Sequence, residues 1–579
     1  MAGSKTPLDE LGFVELYDGG YRHFCCKVRS DRSFNNPIAL SPQNVATSIR
    51  NALKSAQVEE EGGKVDFLPL DKLHHIINKP NVLQLLNRLR SCRQMSTGER
   101  ERLASSICKV DNTDGCSYRK VVASLIEIEH EDDIPTMVRE EFRDSCLPMQ
   151  HDPEYKIMKH QKTGQKCQTM ASWSEEERKK FCRASIKYNV PFFMRPESRG
   201  IYHYVFHDPT TLPFIQKDPR YREDTKGFRK PIKEVHTGGY SQVRRVKIHP
   251  SHHRFSDYGI QSSDNNFAIK SISASKRTDF QREVSVLLRF THRRNEQLVK
   301  LLATYEVRSG KDTSYHLIFP WADRSVKALW KEFPLPDRTD TSYLQWIASQ
   351  SVAIVKSLTF IHEEYASELD PRHRERWGRH GDIKPANFLV YDHSQTNPLG
   401  LIFMADFGLS RFHRQESRSM VRPGAKSLSY RAPENDMKEG SLSRKSDIWS
   451  LGVFFLEFVT WYLKGWGAVR NDFRKRRQKM NPAEYEPDAF FCIEHAGGSE
   501  RVSVNPEVTE WILILHRDSG CTRFMHDFLD LIAKKMLDPS RESRIGAKDL
   551  HTRLKAMYES VEKDPGYCTQ PCVCEKEDA

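Results

Sequence analysis

The sequence predicts an α+β fold in which a mainly α-helical N-terminal region precedes a small β-rich lobe and then a large helical lobe. Three observations carry this expectation. Apolar residues recur at helical spacing up to about residue 190, short strand-like runs dominate from about 234 to 319, and helical stretches return from about 346 onward. At 579 residues the chain is long enough for two or three domains, each with its own core. Hydrophobic residues make up 38% and charged residues 29%, which is too apolar for a disordered chain and too polar for a membrane bundle.

The N-terminal stretch MAGSKTPLDELGF has no apolar signal core, and no run approaches the roughly 20 apolar residues that cross a bilayer. The expected setting is intracellular, in cytoplasm or nucleus, with no membrane partner. The 13 cysteines are odd in number and dispersed, as in a reducing compartment. Cys568, Cys572 and Cys574 cluster in the tail, but three thiols with no nearby histidine fall short of a structural zinc set. The net charge of +12 favours anionic ligands such as nucleotides, or acidic partners, and does not point to nucleic acid. The densest basic run, FRKRRQK at 473–479, is read as a solvated charged loop rather than a localisation signal.

In chain order, Ser41 and Pro42 offer an N-cap and a first-turn proline to a helix whose stripe is Val45, Ile49, Leu53 and Ala56. Further helices are expected over 71–77, 82–89, 99–108 and 118–128, the last with Tyr118, Val121, Val122, Leu125 and Ile128 on one face. These stripes are core, and His74 and His75 beside them are packing or surface residues rather than metal ligands. The helical region is taken as 1–190. From 191 to 229 proline and aromatic residues replace helical periodicity, which reads as a connecting segment. Strands follow at 234–248 and 267–272, with a polar loop containing HPSHH between them. A helix is expected at 279–290, strands at 298–307 and 314–319, and helices at 346–362 and 446–461. A sheet-rich lobe next to a helix-rich one suggests a site in the cleft between them.

Phosphoryl transfer needs backbone donors over phosphates, a fixed cation, oxygens that hold a metal, and a carboxylate that orients the attacking hydroxyl. The sequence supplies each in order. FAIK ends in Lys270, and Glu283 lies 13 residues later on an expected helix. HGDIKPAN holds Asp382, Lys384 and Asn387, and ADFGLS holds Asp406. YRAPE with Glu434 and SDIWSLG with Asp447 follow. On these motifs the chain resembles a eukaryotic protein kinase of the serine/threonine type from about 230 to 558, with a tail at 559–579. RHGDIKPAN and the long helical N-terminal region are also similar to a group of filamentous-fungal proteins with a C-terminal kinase domain. The fold that the resemblance implies is bilobal, and the activity is transfer of the ATP γ-phosphate to a protein hydroxyl in intracellular signalling.

The resemblance implies that Lys270 holds the inner phosphates of ATP and is steadied by Glu283, while Asn387 and Asp406 bind Mg2+. Asp382 orients the substrate hydroxyl and Lys384 neutralises the transferring group. Gly238, Gly239, Tyr240 and Ser241 would cover the phosphates, and Val243, Ala268 and Leu389 would sandwich the adenine. Phe319 would be the gatekeeper, with the Pro320 carbonyl and Ala322 amide facing the base. Asp447 and the pair Glu434 with Arg544 would brace the catalytic loop and large lobe, and His380, Phe407 and Leu287 fall where the family stacks an internal spine.

Two departures from the family pattern matter. HTGGYSQV puts His236 and Ser241 where the first and third glycines usually sit, which weakens the case for tight nucleotide binding. HGD in place of HRD leaves Gly381 where an arginine often pairs with an activation-segment phosphate. Lys384 within DIKPAN, and Ser427 three residues before Tyr430, resemble serine/threonine kinases. Inserts at 363–378 and 465–508 are expected on the surface, as docking sites or neutral decoration. A pseudokinase scaffold that binds nucleotide is the alternative to the enzyme, and a kinase-fold enzyme acting on a small molecule is a third. In the scaffold the N-terminal helices would engage a protein partner.

Overall fold

The structure is a computed structural model. It describes residues 13–17, 44–60, 66–109, 117–152, 157–160, 167–196, 200–208, 210–215, 221–223, 229–231, 235–237, 241–255, 265–272, 277–290, 297–310, 312–363, 378–392, 399–406, 428–438, 440–479, 488–496 and 499–571. The chain divides into two compact units, Met1–His292 with Lys300–Trp321, and Arg293–Val299 with Ala322–Ala579.

In the first unit, strand β1 (Phe13–Tyr17) precedes a run of helices: α1 (Val45–Ser55), α2 (Leu70–Ile76), α3 (Lys79–Leu86), α4 (Thr97–Cys108), α5 (Arg119–Glu127), α6 (Ile134–Arg139) and, after the hairpin β2 (Met149–Asp152) and β3 (Ile157–His160), α7 (Glu175–Tyr188). The expected helices are present with boundaries shifted by a few residues. Helix α1 starts later than the Ser41–Pro42 cue implies, because the Asn44 side chain accepts the Thr47 amide at 3.2 Å and caps it; Ser41 and Pro42 lie outside the described residues. Helices α4 and α7 each open on a full capping box, Ser96 with Glu99 and Ser174 with Glu177.

The rest of the unit is built on one sheet. Its strands are β4 (Ile201–His207), β5 (Phe214–Ile215), then, past a small hairpin of β6 (Tyr221–Glu223) and β7 (Arg229–Pro231), β8 (Val235–Thr237), β9 (Ser241–Ile248), β10 (Asn266–Ile272), β11 (Ala303–Ser309) and β12 (Asp312–Pro320). The order is β1-β4-β11-β12-β10-β9-β5, with β8 also on β9. Strand β11 starts five residues later than expected, since Leu298 instead bridges Met404. Helix α8 (Arg277–Phe290) follows β10.

Strand alternation separates the two faces of this sheet. Lys270, Leu317, Tyr315 and His203 share the face that meets α8, where Phe280 stacks on Tyr315 at 4.6 Å. The opposite face presents Phe267, Ile269, Ile318, Tyr305, Tyr204 and Phe206, which join one continuous core with Ile49, Leu73, Val122 and Phe181 of the N-terminal helices. The segment 191–229, expected as a connector, supplies β4, β5 and the buried Phe192, Phe193 and Met194. Phe193 packs edge-on to Tyr204 at 5.0 Å and stacks with Phe214 at 6.3 Å. Aromatic residues without helical period read as a linker in one dimension, but here they fill the space between helices and sheet.

His252, from the loop read as polar, is buried in this core. Its Nδ1–H donates to the Pro191 carbonyl at 2.9 Å, and its Nε2 accepts the Leu70 amide at 3.0 Å. Pro69 gives α2 no side-chain cap, so a histidine 182 residues away satisfies an orphan donor of that helix's first turn.

In the second unit a three-stranded sheet joins β13 (Arg324–Ser325), β14 (Phe388–Tyr391) and β15 (Leu401–Met404). Its helices are α9 (Val326–Glu332), α10 (Ser342–Glu363), α11 (Arg444–Gly467), α12 (Phe473–Lys479), α13 (Pro506–His516), α14 (Arg523–Leu531), α15 (Ala547–Lys563) and α16 (Pro565–Thr569), and β16 (Phe491–Ala496) pairs with β17 (Ser499–Val504). Helix α11 is buried along most of its length, and its Phe454, Phe458 and Trp461 gather around Trp330 of α9, which stacks on Phe454 at 5.8 Å. It kinks at Gly465, whose φ of +81° suits glycine and whose missing Cβ would lie 2.5 Å from the Pro334 carbonyl oxygen.

The basic run at 473–479 is not a solvated loop. It is helix α12, and Arg477 is 2% exposed, with its guanidinium 4.2 Å and 4.1 Å over the Phe473 and Phe490 rings. Arg474 and Arg476 pair with Asp488 and Glu507. The insert expected on the surface at 465–508 thus carries a small core of its own, because an arginine flanked by aromatics buries its plane on their faces. The other insert, 363–378, lies almost wholly outside the described residues, as do Cys572 and Cys574. Among the described residues no helix is long and apolar enough to cross a membrane, and no cluster of metal-ligating side chains occurs.

Burial lowers the His252 pKa to about 3 and that of His253 to about 4. Their folded values lie below the unfolded one, so the unfolded chain binds more protons between them and stability falls as pH drops from about 6.5. Unfolding free energy of the full chain should therefore decline below pH 6, by about 1 kcal/mol per pH unit for each histidine. Urea titrations at pH 7, 6 and 5 check this, and a slope that His252→Gln leaves unchanged would refute it.

Candidate active site

Each unit positions its own set of the expected site residues. In the first, β10 presents Ala268 and Lys270 on one face, opposite Phe319 of β12 and Val243 of β9 in the strand register. Helix α8 carries Glu283, whose Oε1 lies 3.1 Å from Lys270 Nζ, both side chains being largely buried. Val284, Leu287 and Leu288 are the buried stripe that fixes the rotation of this helix, and Pro320 is buried at the end of β12.

In the second unit the chain from His380 to Asn387 folds back on itself. Lys384 Nζ donates to Asp382 Oδ2 at 2.8 Å, and Asn387 Nδ2 donates to the same oxygen at 2.9 Å and to the Asp382 carbonyl at 2.8 Å. The Ala405 amide donates to the Asn387 carbonyl at 2.8 Å, which ties the loop to the end of β15 and to Asp406. Asp406 is exposed and adopts a φ of +63°, a strained left-handed conformation for a residue with a Cβ. Leu389 is half-buried on β14, and Ala322 follows β12 in the chain. A small, half-open cavity lies beside Asp382, lined also by Gly381, Arg379 and Arg431.

The loop is held from below by Asp447 in the first turn of α11, 2% exposed. Its Oδ2 accepts the His380 amide at 2.8 Å and His362 Nε2–H at 2.8 Å, and its Oδ1 accepts the Gly381 amide at 2.9 Å. Burial alone would raise this carboxyl, but the His362 hydrogen bond and the nearby Arg379 guanidinium help hold it below the usual range. Gly381 has a φ of +83°, so this position suits a residue without a Cβ. His380 is fully buried; its Nε2–H donates to the Ala405 carbonyl at 3.1 Å, and its Nδ1 accepts the Asp382 amide at 3.2 Å. Burial keeps its pKa low, in keeping with that neutral tautomer.

Glu434 and Arg544 meet as a forked pair at 2.9 and 3.2 Å, with the Ser446 hydroxyl donating to Glu434 at 2.7 Å and Arg544 lying over Trp449. Sequence reasoning did not single out His362 or Arg379 beside Asp447. His362 was visible only as a helix end, and no local spacing signals a contact across 85 residues. Gly238, Gly239 and Tyr240, Phe407, and Ser427 lie outside the described residues, and Ser241 is described only in its backbone.

Comparison with known sequences matches the protein kinase domain over residues 258–553, just over half of the chain. The chain belongs to the protein kinase family. It is similar to the lectin-domain containing receptor kinase VI.4 of Arabidopsis thaliana, 28% identical over 246 residues, which is 42% of this chain and 30% of that one. It is also similar to the serine/threonine-protein kinase ppk23 of Schizosaccharomyces pombe, 28% identical over 183 residues covering 31% and 38% of the two chains. A probable cyclin-dependent kinase 8 of Dictyostelium discoideum is 27% identical over 203 residues, 34% and 48% of the two. The chain thus spans less than half the length of each of these relatives. The kinase match begins after the glycine-bearing segment at 236–241.

Breaking the buried Glu434–Arg544 pair from one side leaves an uncompensated charge. Arg544→Met should cost about 3 to 5 kcal/mol of stability in urea unfolding. Glu434→Gln added to it should cost less than the sum of the single changes, and strictly additive losses would contradict the coupling.

Proposed function

We propose that the chain is an ATP- and magnesium-dependent protein serine/threonine kinase. The observation that carries this reading is the convergence of Lys384 and Asn387 on the Asp382 carboxylate, with the Lys270–Glu283 pair formed in the other unit. Asp382 accepts the proton of the attacking hydroxyl and keeps it in line, while Lys384, already at 2.8 Å, balances charge as the phosphoryl group moves. Lys270 holds the inner phosphates of ATP, and Glu283 fixes where that ammonium sits. The Asn387 amide nitrogen is engaged with Asp382, which leaves its carbonyl oxygen as the acceptor; with the exposed Asp406 carboxylate this is a hard oxygen pair suited to magnesium. The metal, when bound, neutralises developing phosphate charge.

Lys384 within DIKPAN and Ser427 ahead of Tyr430 support a serine or threonine acceptor. Gly381 replaces the arginine that would read a phosphorylated activation segment, so activity does not depend on phosphorylation there. One observation favours the scaffold reading instead: the kinase match omits 236–241, where two of the usual three glycines are absent.

Purified protein with magnesium and labelled ATP should place phosphate on serine or threonine of a generic protein acceptor. Asp382→Asn and Lys270→Met should each lower transfer by about a hundredfold or more. Nucleotide binding without transfer would favour the scaffold. Replacing Ser417 and Ser419, two serines of the activation segment between ADFGLS and YRAPE, together by alanine should leave the rate nearly unchanged; a collapse would show that the segment must be phosphorylated.

A further inference from the structure

Strand β1 lies far upstream of the kinase match, yet it forms the edge of the sheet that carries Lys270. It pairs in parallel with β4, which pairs in parallel with β11, so two strands from outside the matched region extend the sheet. Phe13 and Glu15 point from β1 to the α8 side. Phe13, 4% exposed, stacks on His203 at 5.1 Å and meets Phe280 of α8 at 6.4 Å. The Glu15 carboxylate accepts a hydrogen bond from Arg277 in the first turn of α8.

Beneath this contact Glu306, 1% exposed, accepts from Arg308 Nε at 2.6 Å and from His203 Nε2 at 3.2 Å, and lies 3.9 Å from Arg277. The Thr304 hydroxyl is 2.9 Å from His203 Nδ1. Burial opposes ionisation of Glu306, but His203 and Arg308 outweigh it and bring its pKa to about 2. Burial in turn keeps His203 low, consistent with a neutral ring that donates to Glu306. Arg277 therefore has two carboxylates, Glu15 from β1 and Glu306 from β11, and the exposed half of its clamp comes from β1.

Arg277, Phe280 and Glu283 follow one another at helical spacing, so whatever holds the first two sets the position of the third. We propose that β1 is a positioning element for α8, in which Glu15 and Phe13 hold the helix where Glu283 meets Lys270. Residues near the start of the chain are then required for full phosphoryl transfer. The consequence for transfer rests on the kinase reading above, whereas the clamp on α8 does not.

The test is a double-mutant cycle in the full chain with Glu15→Ala, Arg277→Ala and both together. Amide hydrogen exchange over 277–290 and steady-state transfer from magnesium ATP to dephosphorylated casein are the two readouts. Each single variant should speed exchange in that helix by about two- to fivefold, leave exchange in α11 unchanged, and lower kcat by a similar factor without raising the KM for casein. The double variant should be no worse than either single one. Multiplying effects, or exchange over 277–290 that Glu15→Ala leaves unchanged, would overturn the clamp. If the wild-type chain transfers no phosphate, the kinase reading falls and the exchange data alone decide the clamp.

Discussion

A sheet buried on both faces is the constraint from which the first unit follows. One face must cover Phe267, Ile269, Ile318 and Tyr305, and the N-terminal helices do so in one continuous core. The other face must place Lys270 against α8, and Phe280, Val284 and Leu288 of that helix are its buried side. Apolar area removed from water on both sides stabilises a strand arrangement that neither layer could hold alone. The helices upstream of the kinase match are for this reason part of the same folded unit as the lysine strand.

The second unit depends on a buried carboxylate in a comparable way. Asp447 needs donors, and the backbone amides of His380 and Gly381 supply two of them. A loop that must aim two successive amides at one side chain turns sharply, and glycine at φ +83° allows that turn without steric cost. Asp382 follows directly, and its contacts with Lys384 and Asn387 close the loop within six residues.

Much of this was legible because it is local. The α+β order, the stripes of α1 and α5, the lysine strand and the catalytic-loop motif each declare themselves within a few residues, where period and spacing are direct consequences of backbone geometry. Two misreadings arose where local character and environment diverge. FRKRRQK is basic by composition, but Arg477 lies between two aromatic rings that bury its planar group. The stretch 191–229 has no helical period, yet Phe193, Tyr204 and Phe214 are among the most buried side chains of the unit.

The sequence by itself determined the class of fold and the family, and it singled out the groups proposed for phosphoryl transfer, since these readings rest on residue types at short, fixed separations. Tertiary structure alone decided what braces them. His362 on Asp447, His252 on the first turn of α2, and Glu15 on Arg277 link residues 85, 182 and 262 positions apart. No short-range pattern encodes such pairs, because each forms only when burial brings unsatisfied donors and acceptors from distant segments together, where leaving them unpaired would cost more than ordering the chain.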